Sequence, residues 1–267
     1  MIIGDKIFSE QEGPYVMGIL NVTPDSFSDG GSYVSLDAAL RQAEKMVAEG
    51  ATILDVGGES TRPGYTKISD EEEIGRVCPV IEKLVQTFDV PVSLDTYKAG
   101  VAEAGLKAGA HMINDIWGLT YDERMASVVA SYEASVCIMH NRKEAVYKDF
   151  QSELLSDLSK MIELAVDAGI SKDRIMIDPG VGFAKSYEEN LLAIRNVGEL
   201  KNLGYPILLG TSRKSVVGLT LDLPVSERVE GTLATNLYGY LEGCLFFRVH
   251  DVKEHVRALK MLSAIRR

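Results

Sequence analysis

The sequence begins its regular pattern at Val16-Met17-Gly18-Ile19-Leu20, followed directly by Asn21-Val22-Thr23-Pro24-Asp25-Ser26-Phe27-Ser28-Asp29-Gly30-Gly31. The first stretch predicts a buried strand, because strands covered on both faces are apolar throughout rather than alternating. The second predicts a long loop, since glycine frees the backbone, proline fixes one φ angle, and Ser and Asp side chains supply local hydrogen bonds. Loops of this length inside a compact domain are uncommon and are usually functional. A surface loop without a role is the alternative at this point.

The same succession of an apolar run and a polar segment occurs eight times along the chain. The eight runs are Val16–Leu20, Ile53–Val56, Val92–Leu94, Met112–Ile113, Ser135–Met139, Ile175–Ile177, Ile207–Leu209 and Leu245–Val249. Between them apolar residues recur at helical spacing, as at Leu154, Leu158, Met161, Ile162 and Ala165. Ser69 with Glu72 and Ser186 with Glu189 predict capping boxes, and Gly50, Gly109 and Gly169 stand where helices are expected to end.

Eight strand–helix units in 267 residues predict an α/β fold, a (β/α)8 TIM barrel that forms a single domain over residues 1–267. Ile2–Phe8 precedes the first unit and is expected to form a short N-terminal ribbon on the barrel floor. An open, doubly wound sheet is the alternative. The even number of units and their similar lengths favour the barrel.

Composition restricts the function. The net charge of −11 argues against a nucleic-acid partner, since a phosphate backbone requires a basic surface. An anionic substrate would then need a local basic pocket. No apolar run approaches the roughly 20 residues that cross a membrane, and Met1–Glu12 lacks the pattern of a signal peptide. The three cysteines, Cys78, Cys137 and Cys244, are far apart and predict buried free thiols in a reducing compartment, hence a cytoplasmic protein.

Polar residues close nearly every predicted strand. They are Asn21, Glu59, Asp95, Asn114, Asp115, His140, Asn141, Asp178 and, on the last strand, Arg248 and His250. The carboxyl ends of barrel strands meet at one mouth, where the chemistry of such barrels takes place. Turn capping explains some of these positions, but it would also scatter polar groups at the opposite strand ends, where the sequence mostly has proline and glycine. The pattern therefore predicts a site at the mouth.

This polar ring has two chemically different halves. One half supplies carboxylate, amide and amine groups that suit a flat heterocycle with an amidine-like edge. Its members are Asp95, Asn114, Asp178 and Lys214. The other half is rich in donors, mainly cationic, and suits phosphate or diphosphate. Its members are Asn21, Arg62, Arg248 and His250.

Seven motifs in order resemble those of the dihydropteroate synthase family of folate biosynthesis, whose members are pterin-binding TIM barrels. The motifs are Gly18–Gly31, Asp55–Gly64, Ser93–Thr96, Ile113–Asp115, Asp178–Phe183, Ser212–Ser215 and Arg248–Asp251. The resemblance covers nearly the whole chain. It implies a transferase that condenses (7,8-dihydropterin-6-yl)methyl diphosphate with 4-aminobenzoate, giving 7,8-dihydropteroate and diphosphate, with Mg²⁺ as cofactor.

The resemblance also implies roles for individual residues. The pterin ring is expected to contact Asp95, Asn114, Asp178, Lys214, Ile116, Met139, Phe183, Gly210 and Arg248. The diphosphate is expected to contact Asn21, Arg62, Arg248 and His250, with Asn21 also placing the metal. Aminobenzoate is expected among Phe27, Thr61, Arg62, Pro63, Ser212 and Lys214. The implied catalytic residues are Asp25, Arg62, Lys214, Arg248 and His250.

The chain departs from the family pattern at three places. Ala184 stands where glycine is common, Val216 where phenylalanine is common, and Trp117 where smaller residues are frequent. The family expectation is a homodimer. Leu233, Leu237 and Leu241 are candidates for its contact surface and equally for the core.

The expected reaction breaks the C–O bond before the amine attacks, because an electron-rich dihydropterin stabilises a cation at its exocyclic methylene. Residues 21–31 and 60–67 are expected to act as lids that exclude water and complete the aminobenzoate site after the diphosphate binds. Two alternatives share the pterin-facing acids. One is a barrel that passes a methyl group from methyltetrahydrofolate to a corrinoid protein, and the other is a pterin-binding scaffold without activity.

Overall fold

A computed structural model describes residues 1–22, 32–59 and 67–266, with the backbone alone for residues 32–35. The strands are β1 (Ile2–Ile3), β2 (Lys6–Ile7), β3 (Tyr15–Asn21), β4 (Ile53–Gly57), β5 (Val92–Asp95), β6 (Met112–Asp115), β7 (Ser135–Met139), β8 (Ile175–Asp178), β9 (Leu208–Leu209) and β10 (Phe246–Val249). The helices are α1 (Ser32–Ala48), α2 (Asp70–Thr87), α3 (Ala99–Lys107), α4 (Met125–Ser131), α5 (Phe150–Asp167), α6 (Tyr187–Arg195), α7 (Ser215–Leu221), α8 (Val229–Leu241) and α9 (Val252–Arg266).

Strands β3 to β10 form one parallel sheet that closes on itself. Its order is β8-β7-β6-β5-β4-β3-β10-β9. The two ends meet through a parallel bridge between Ile177 and Ile207, where the Ile177 amide donates to the Pro206 carbonyl at 3.0 Å. The (β/α)8 barrel is thereby confirmed and the open sheet is wrong. Every one of the eight predicted apolar runs contributes a strand.

The N-terminal ribbon covers the bottom of the barrel. Its strands β1 and β2 pair antiparallel, and the Ser135 hydroxyl at the start of β7 donates to the Ile2 carbonyl at 2.6 Å. Ile3 and Phe8 are buried in a cluster with residues that lie at the beginnings of the barrel strands. The Phe8 ring centroid is 4.8 Å from that of Tyr15. The predicted position of the ribbon is confirmed.

The helices pack their apolar faces onto the outside of the barrel. The α5 residues predicted to share one face, Leu154, Leu158, Met161, Ile162 and Ala165, are all buried. The main core therefore lies between strands and helices and leaves the barrel mouth free for polar groups.

Local signals set the helix ends. Ser186 and Glu189 form a complete capping box at the start of α6. At α2 the Ser69 hydroxyl accepts a hydrogen bond from the Glu72 amide, while the Glu72 carboxylate pairs with Arg76. The predicted glycine ends are confirmed, since Gly50, Gly109 and Gly169 have φ angles of 103°, 107° and 93°, which favour glycine.

All three cysteines are free, and Cys137 and Cys244 are buried while Cys78 is partly exposed. Within the described ranges, no helix combines the length and the apolar character that crossing a bilayer requires.

Candidate active site

Arg248, on β10, lies at the centre of the barrel mouth. Its Nε donates to Asp55 Oδ2 at 2.6 Å, and its Nη2 donates to Asp95 Oδ2 at 2.5 Å. Asn114 Nδ2 donates to the same Asp55 oxygen at 3.2 Å. These contacts join four strands, β4, β5, β6 and β10. The mouth thus brings together Asp95, Asn114 and Arg248, as the sequence predicted.

Asp55 is a central member of the site that the sequence analysis missed. It lies within the predicted apolar run on β4 and its side chain is fully buried. A carboxylate inside an otherwise apolar strand was the available signal, because a buried charge requires a partner. That partner is Arg248.

Burial of Asp95 beside Asp55 and the Arg248 guanidinium changes the protonation of Asp95. Burial raises the pKa of Asp95 to about 7, although the charge of Arg248 acts in the opposite direction and that of Asp55 adds to the increase. The second oxygens, Asp55 Oδ1 and Asp95 Oδ1, are buried without a hydrogen-bond partner among the described residues. Buried acceptors without partners are costly, and a ligand with N–H groups would satisfy them.

Asp178 and Lys214 occupy the opposite side of the mouth, next to Gly210. A Cβ at Gly210 would lie 3.4 Å from Asp178 Oδ2, 3.9 Å from Lys214 Nζ and 4.0 Å from Arg248 Cβ, so all three side chains converge on this residue. Burial raises the pKa of Asp178 against the charge of Lys214, and burial lowers the pKa of Lys214 to about 8 against that of Asp178. Asp178 Oδ1 accepts a hydrogen bond from the Gly180 amide at 2.6 Å.

Apolar side chains form one wall of the mouth. Ile116 and Met139 are buried together with Tyr97, and Phe183 and Trp117 pack against them. Lys214 Nζ lies 4.8 Å from the centroid of the Phe183 ring. The structure therefore brings together three of the residues predicted to contact the heterocycle, Ile116, Met139 and Phe183. Trp117, where the family often has a smaller residue, extends the same wall.

Two residues predicted to bind the anion, Asn21 and His250, lie at the ends of β3 and β10. A Cβ at Gly57 would lie 3.5 Å from Asn21 Oδ1 and 3.9 Å from Asp95 Oδ2, which places Asn21 beside the central ion pairs. His250 Nδ1 and the Ser212 hydroxyl are 2.9 Å apart, and the His250 amide donates to the same hydroxyl at 3.1 Å. Ser212 and His250 are thus neighbours.

The loop that carries Ser212 and Lys214 is held by Arg228, directly before α8, and by Thr232 on α8. The sequence analysis did not predict these contacts. Arg228 Nη1 donates to the Arg213 carbonyl at 3.0 Å and its Nε to the Leu223 carbonyl at 3.0 Å. The Arg213 amide donates to the Thr232 hydroxyl at 3.1 Å. Because these contacts connect residues far apart in the sequence, no local pattern indicated them.

Five predicted site residues lie outside the described residues. They are Asp25, Phe27, Thr61, Arg62 and Pro63. Lys98 contacts the described residues on both sides of positions 60–66. Its Nζ donates to Glu59 Oε2 at 2.8 Å and to the Ile68 carbonyl at 2.8 Å. Lys98 also pairs with Glu73 at 2.7 Å.

The other two departures from the family pattern have definite structural positions. Ala184 has a φ angle of 41°, in the left-handed region where a Cβ is unfavourable. Val216 is buried on α7, facing α6 and α8. Neither removes a polar group from the mouth.

Comparison with known proteins agrees with this site. Residues 17–250 match the family described as pterin binding enzyme. The dihydropteroate synthase of Clostridium beijerinckii is 54% identical over 266 residues, which cover 99% of each chain. That of Bacillus subtilis is 52% identical over 257 residues, 96% of this chain and 90% of the relative.

Solved structures give the same result. A Clostridium difficile dihydropteroate synthase crystallised in the presence of pteroic acid has a TM-score of 0.95 and 52% identity, over 97% of this chain and 99% of the other. The Xanthomonas albilineans enzyme with 4-aminobenzoic acid has a TM-score of 0.91 and 43% identity, over 96% and 94%. A barrel whose mouth combines buried acids with cations and matches these proteins defines a pterin-binding enzyme.

The chain belongs to the dihydropteroate synthase family, transferases of folate biosynthesis. These relatives favour the synthase over the methyl-transferring barrel and over the inactive scaffold.

The proton on Asp95 makes stability depend on pH. A carboxyl whose pKa is raised in the folded chain binds its proton more tightly there than in the unfolded chain. Stability should therefore fall as pH rises from the usual pKa range of aspartate, about 4, towards the pKa of Asp95 in the folded chain.

We expect Asp95→Asn to show a smaller fall in the free energy of unfolding between about pH 4.5 and 7.5 than the wild type, measured by urea denaturation. Asp167→Asn, at an exposed position, is the control and should follow the wild type. Identical pH dependence in Asp95→Asn and wild type would contradict the assignment.

Proposed function

We propose that the barrel mouth condenses (7,8-dihydropterin-6-yl)methyl diphosphate with 4-aminobenzoate, releasing 7,8-dihydropteroate and diphosphate. The observation that supports this most directly is the convergence of Asp178, Lys214 and Arg248 on Gly210, which brings a buried carboxylate and two cations to one place at the mouth. The relatives described above are named for this reaction.

The pterin ring binds through its amidine-like edge. Asp178 accepts its N–H groups, because a carboxylate is the complement of two parallel donors. Asn114 and Lys214 donate to the ring nitrogen and carbonyl acceptors. Asp95 Oδ1 is an additional buried acceptor for a ring N–H. One ring face contacts the wall formed by Ile116, Met139 and Phe183, and the planar guanidinium of Arg248 stacks on the other.

The diphosphate binds at the donor-rich end, beside Asn21, Arg248 and His250, with Arg62 contributing from outside the described residues. The donor set fits Mg²⁺, since the Asn21 amide oxygen is a hard ligand and Mg²⁺ uses one or two protein ligands together with water and substrate phosphates. Within the described ranges no cluster of His, Cys, Asp or Glu could form an all-protein metal site, which agrees with coordination shared with the substrate. When bound, the ion would neutralise charge on the diphosphate.

The chemical step starts with cleavage of the bond between the exocyclic methylene carbon and the bridging oxygen. The electron pair leaves with diphosphate, and the dihydropterin carries the positive charge. Arg248 and His250 interact more strongly with the diphosphate as its negative charge grows, which lowers the barrier. Asp95 and Asp178 stabilise the cationic ring. The amine of aminobenzoate, neutral at pH 7, then forms the C–N bond and loses its proton to water.

Replacement of Asp178 tests the assignment of the pterin edge. Asp178→Asn keeps the size of the side chain but converts an acceptor pair into one acceptor and one donor. The loss of charged hydrogen bonds should reduce kcat/KM about a hundredfold, corresponding to roughly 3 kcal/mol. The measurement is the rate of diphosphate release with both substrates. Asp173→Asn, exposed just before the same strand, is the matched control and should leave the rate unchanged. Near-normal kcat/KM in Asp178→Asn would refute the assignment.

The order of bond breaking can be tested with a series of ring-substituted 4-aminobenzoates of different amine basicity. If C–O cleavage limits the chemical step, single-turnover rates at saturating amine should be nearly independent of amine basicity. Rates that rise steeply with basicity would show that the amine takes part in breaking the C–O bond. The pterin affinity of the enzyme, measured without amine before and after the series, is the control and should stay constant if the protein is unchanged.

We also propose that the chain forms a homodimer through the surface of α7 and α8. Leu219 and Leu241 are 67% and 52% exposed there, while Leu237, also a candidate, packs against the core and Leu233 is half-buried. An apolar groove runs between α6, α7 and α8 beside them. A second copy of the chain is the occupant that covers such a surface symmetrically.

Light scattering after size-exclusion chromatography tests the dimer. The wild type should have close to twice the chain mass of 29.2 kDa, and Leu219→Lys should approach the monomer mass because it places a charge in the apolar contact. Ile7→Lys, at an equally exposed apolar position on the ribbon, is the control and should remain dimeric. A wild type that elutes as a monomer would contradict the proposal.

We place the activity in the cytoplasm. Three cysteines without a disulfide, two of them buried, suit a reducing compartment.

A further inference from the structure

We propose that Lys185 is a positioning residue, which fixes the loop between β8 and α6 in the shape that presents Phe183 and the Asp178–Gly180 turn to the pterin ring. The inference rests on the proposed function and adds to it a residue that does not touch the substrate. Lys185 lies at the end of this loop, two residues before α6 begins at Tyr187.

The Lys185 ammonium joins the loop to the end of β7. Its Nζ lies 3.0 Å from His140 Nδ1, 3.0 Å from the Phe183 carbonyl and 3.5 Å from the His140 carbonyl. An ammonium has three donors, and these three acceptors are in reach of it. One acceptor belongs to Phe183 itself, so Lys185 directly holds the backbone that carries this ring.

The contact between the loop and β7 leaves no spare room. A Cβ at Gly180 would lie 1.9 Å from the His140 carbonyl oxygen and 3.2 Å from Lys185 Nζ, and Gly180 has a φ angle of 69°. Gly180 also donates its amide to Asp178, the residue proposed to bind the pterin edge. Displacement of Lys185 would therefore be transmitted to Asp178 as well as to Phe183.

His140 is prepared as an acceptor for Lys185. Its Nε2 lies 3.3 Å from Asp157 Oδ2, and the same oxygen accepts from Arg142 Nε at 2.7 Å. Because a carboxylate only accepts, His140 carries its proton on Nε2, which leaves the Nδ1 lone pair for Lys185. Burial and the nearby charge of Lys185 lower the pKa of His140 to about 3, so it stays neutral. Asp157, His140 and Lys185 thus form a directed chain.

The loop needs such support because it contains an unfavourable residue. Ala184 has a φ angle of 41°, and a left-handed alanine costs about 1 kcal/mol. The Tyr147 hydroxyl donates to the Ala184 carbonyl at 2.8 Å, and Asn190 Oδ1 accepts from the Gly182 amide at 2.5 Å. The loop is held at successive residues, with Lys185 at the centre.

Lys185 is a partly buried cation, and none of the ion pairs found in the part of the chain that the structure describes includes it. Burial lowers the pKa of Lys185 to about 7, although the charge of Asp178 acts in the opposite direction. The other charged or titratable groups around it are Lys214, Glu189, Arg142, His140 and Asp157. Its protonation therefore changes near neutral pH, and the ammonium loses one of its three donors as pH rises through this range. A residue that merely fills space would have no such effect.

Binding of 6-hydroxymethylpterin, followed by its fluorescence, tests the proposal. Lys185→Met, of similar shape but without donors, should weaken pterin binding about tenfold at pH 6, as expected for lost charged hydrogen bonds. The ratio of variant to wild-type Kd should shrink towards about threefold at pH 8, because the wild type itself loses a donor there. The ratio cancels the titration of the pterin. In turnover, KM for the pterin diphosphate should rise while KM for aminobenzoate stays within about twofold.

Three further variants complete the experiment. Lys185→Arg keeps the cation, so it should restore part of the affinity with a pH-independent ratio to Lys185→Met. Lys143→Met removes one charge from an exposed residue at the same end of the barrel and should match the wild type. Asp157→Asn leaves Lys185 in place but removes the charged partner of His140, so it should weaken pterin binding about threefold. This variant replaces Lys185→Met as the test if Lys185→Met does not fold.

Wild-type affinity and an unchanged pH profile in Lys185→Met, or in Asp157→Asn if the first does not fold, would overturn the proposal. Equal rises in both KM values would also overturn it, since they would indicate a general loss of structure. A wild type that binds the pterin but forms no dihydropteroate would refute the proposed function instead and leave this result interpretable.

Discussion

The site depends on one arrangement, the guanidinium of Arg248 held between Asp55 and Asp95. It links the ends of three strands at the mouth, and it buries two acids around one base. Such a cluster is not neutral when both acids are ionised, and burial makes the excess charge costly. Without a ligand, the cluster lowers this cost by keeping a proton on Asp95, in agreement with the raised pKa of that carboxyl. A bound ring that becomes cationic during the reaction would supply positive charge at the same place.

Much of this architecture could be predicted from the sequence. Buried parallel strands are apolar along their whole length, so the runs gave all eight strands, and the polar residue after each run indicated the mouth. Asp95, Asn114 and Asp178 were found in this way, and Arg248 was noted as the one cation within the last run. Asp55 was missed because it lies inside a run rather than after it.

The supporting contacts could not be predicted, for a different reason. Lys185 meets His140 across 45 positions of the sequence, and Arg228 holds a loop that ends 14 residues before it. A single sequence carries periodicity and local capping signals, but nothing in it indicates which distant side chains will meet. Family resemblance supplied the residues proposed to contact the substrates and omitted those that hold them in place.

The ribbon at the bottom of the barrel limits the route by which ligands enter and leave. Ile3 and Phe8 pack beneath the apolar side chains that fill the lower part of the barrel, so that end is closed and the mouth is the open end. In the proposed binding mode the pterin enters before aminobenzoate, and the product leaves through the mouth by which both substrates entered. Under the same proposal, enlargement of the heterocycle edge that faces Asp178 is opposed by the side chains that converge there.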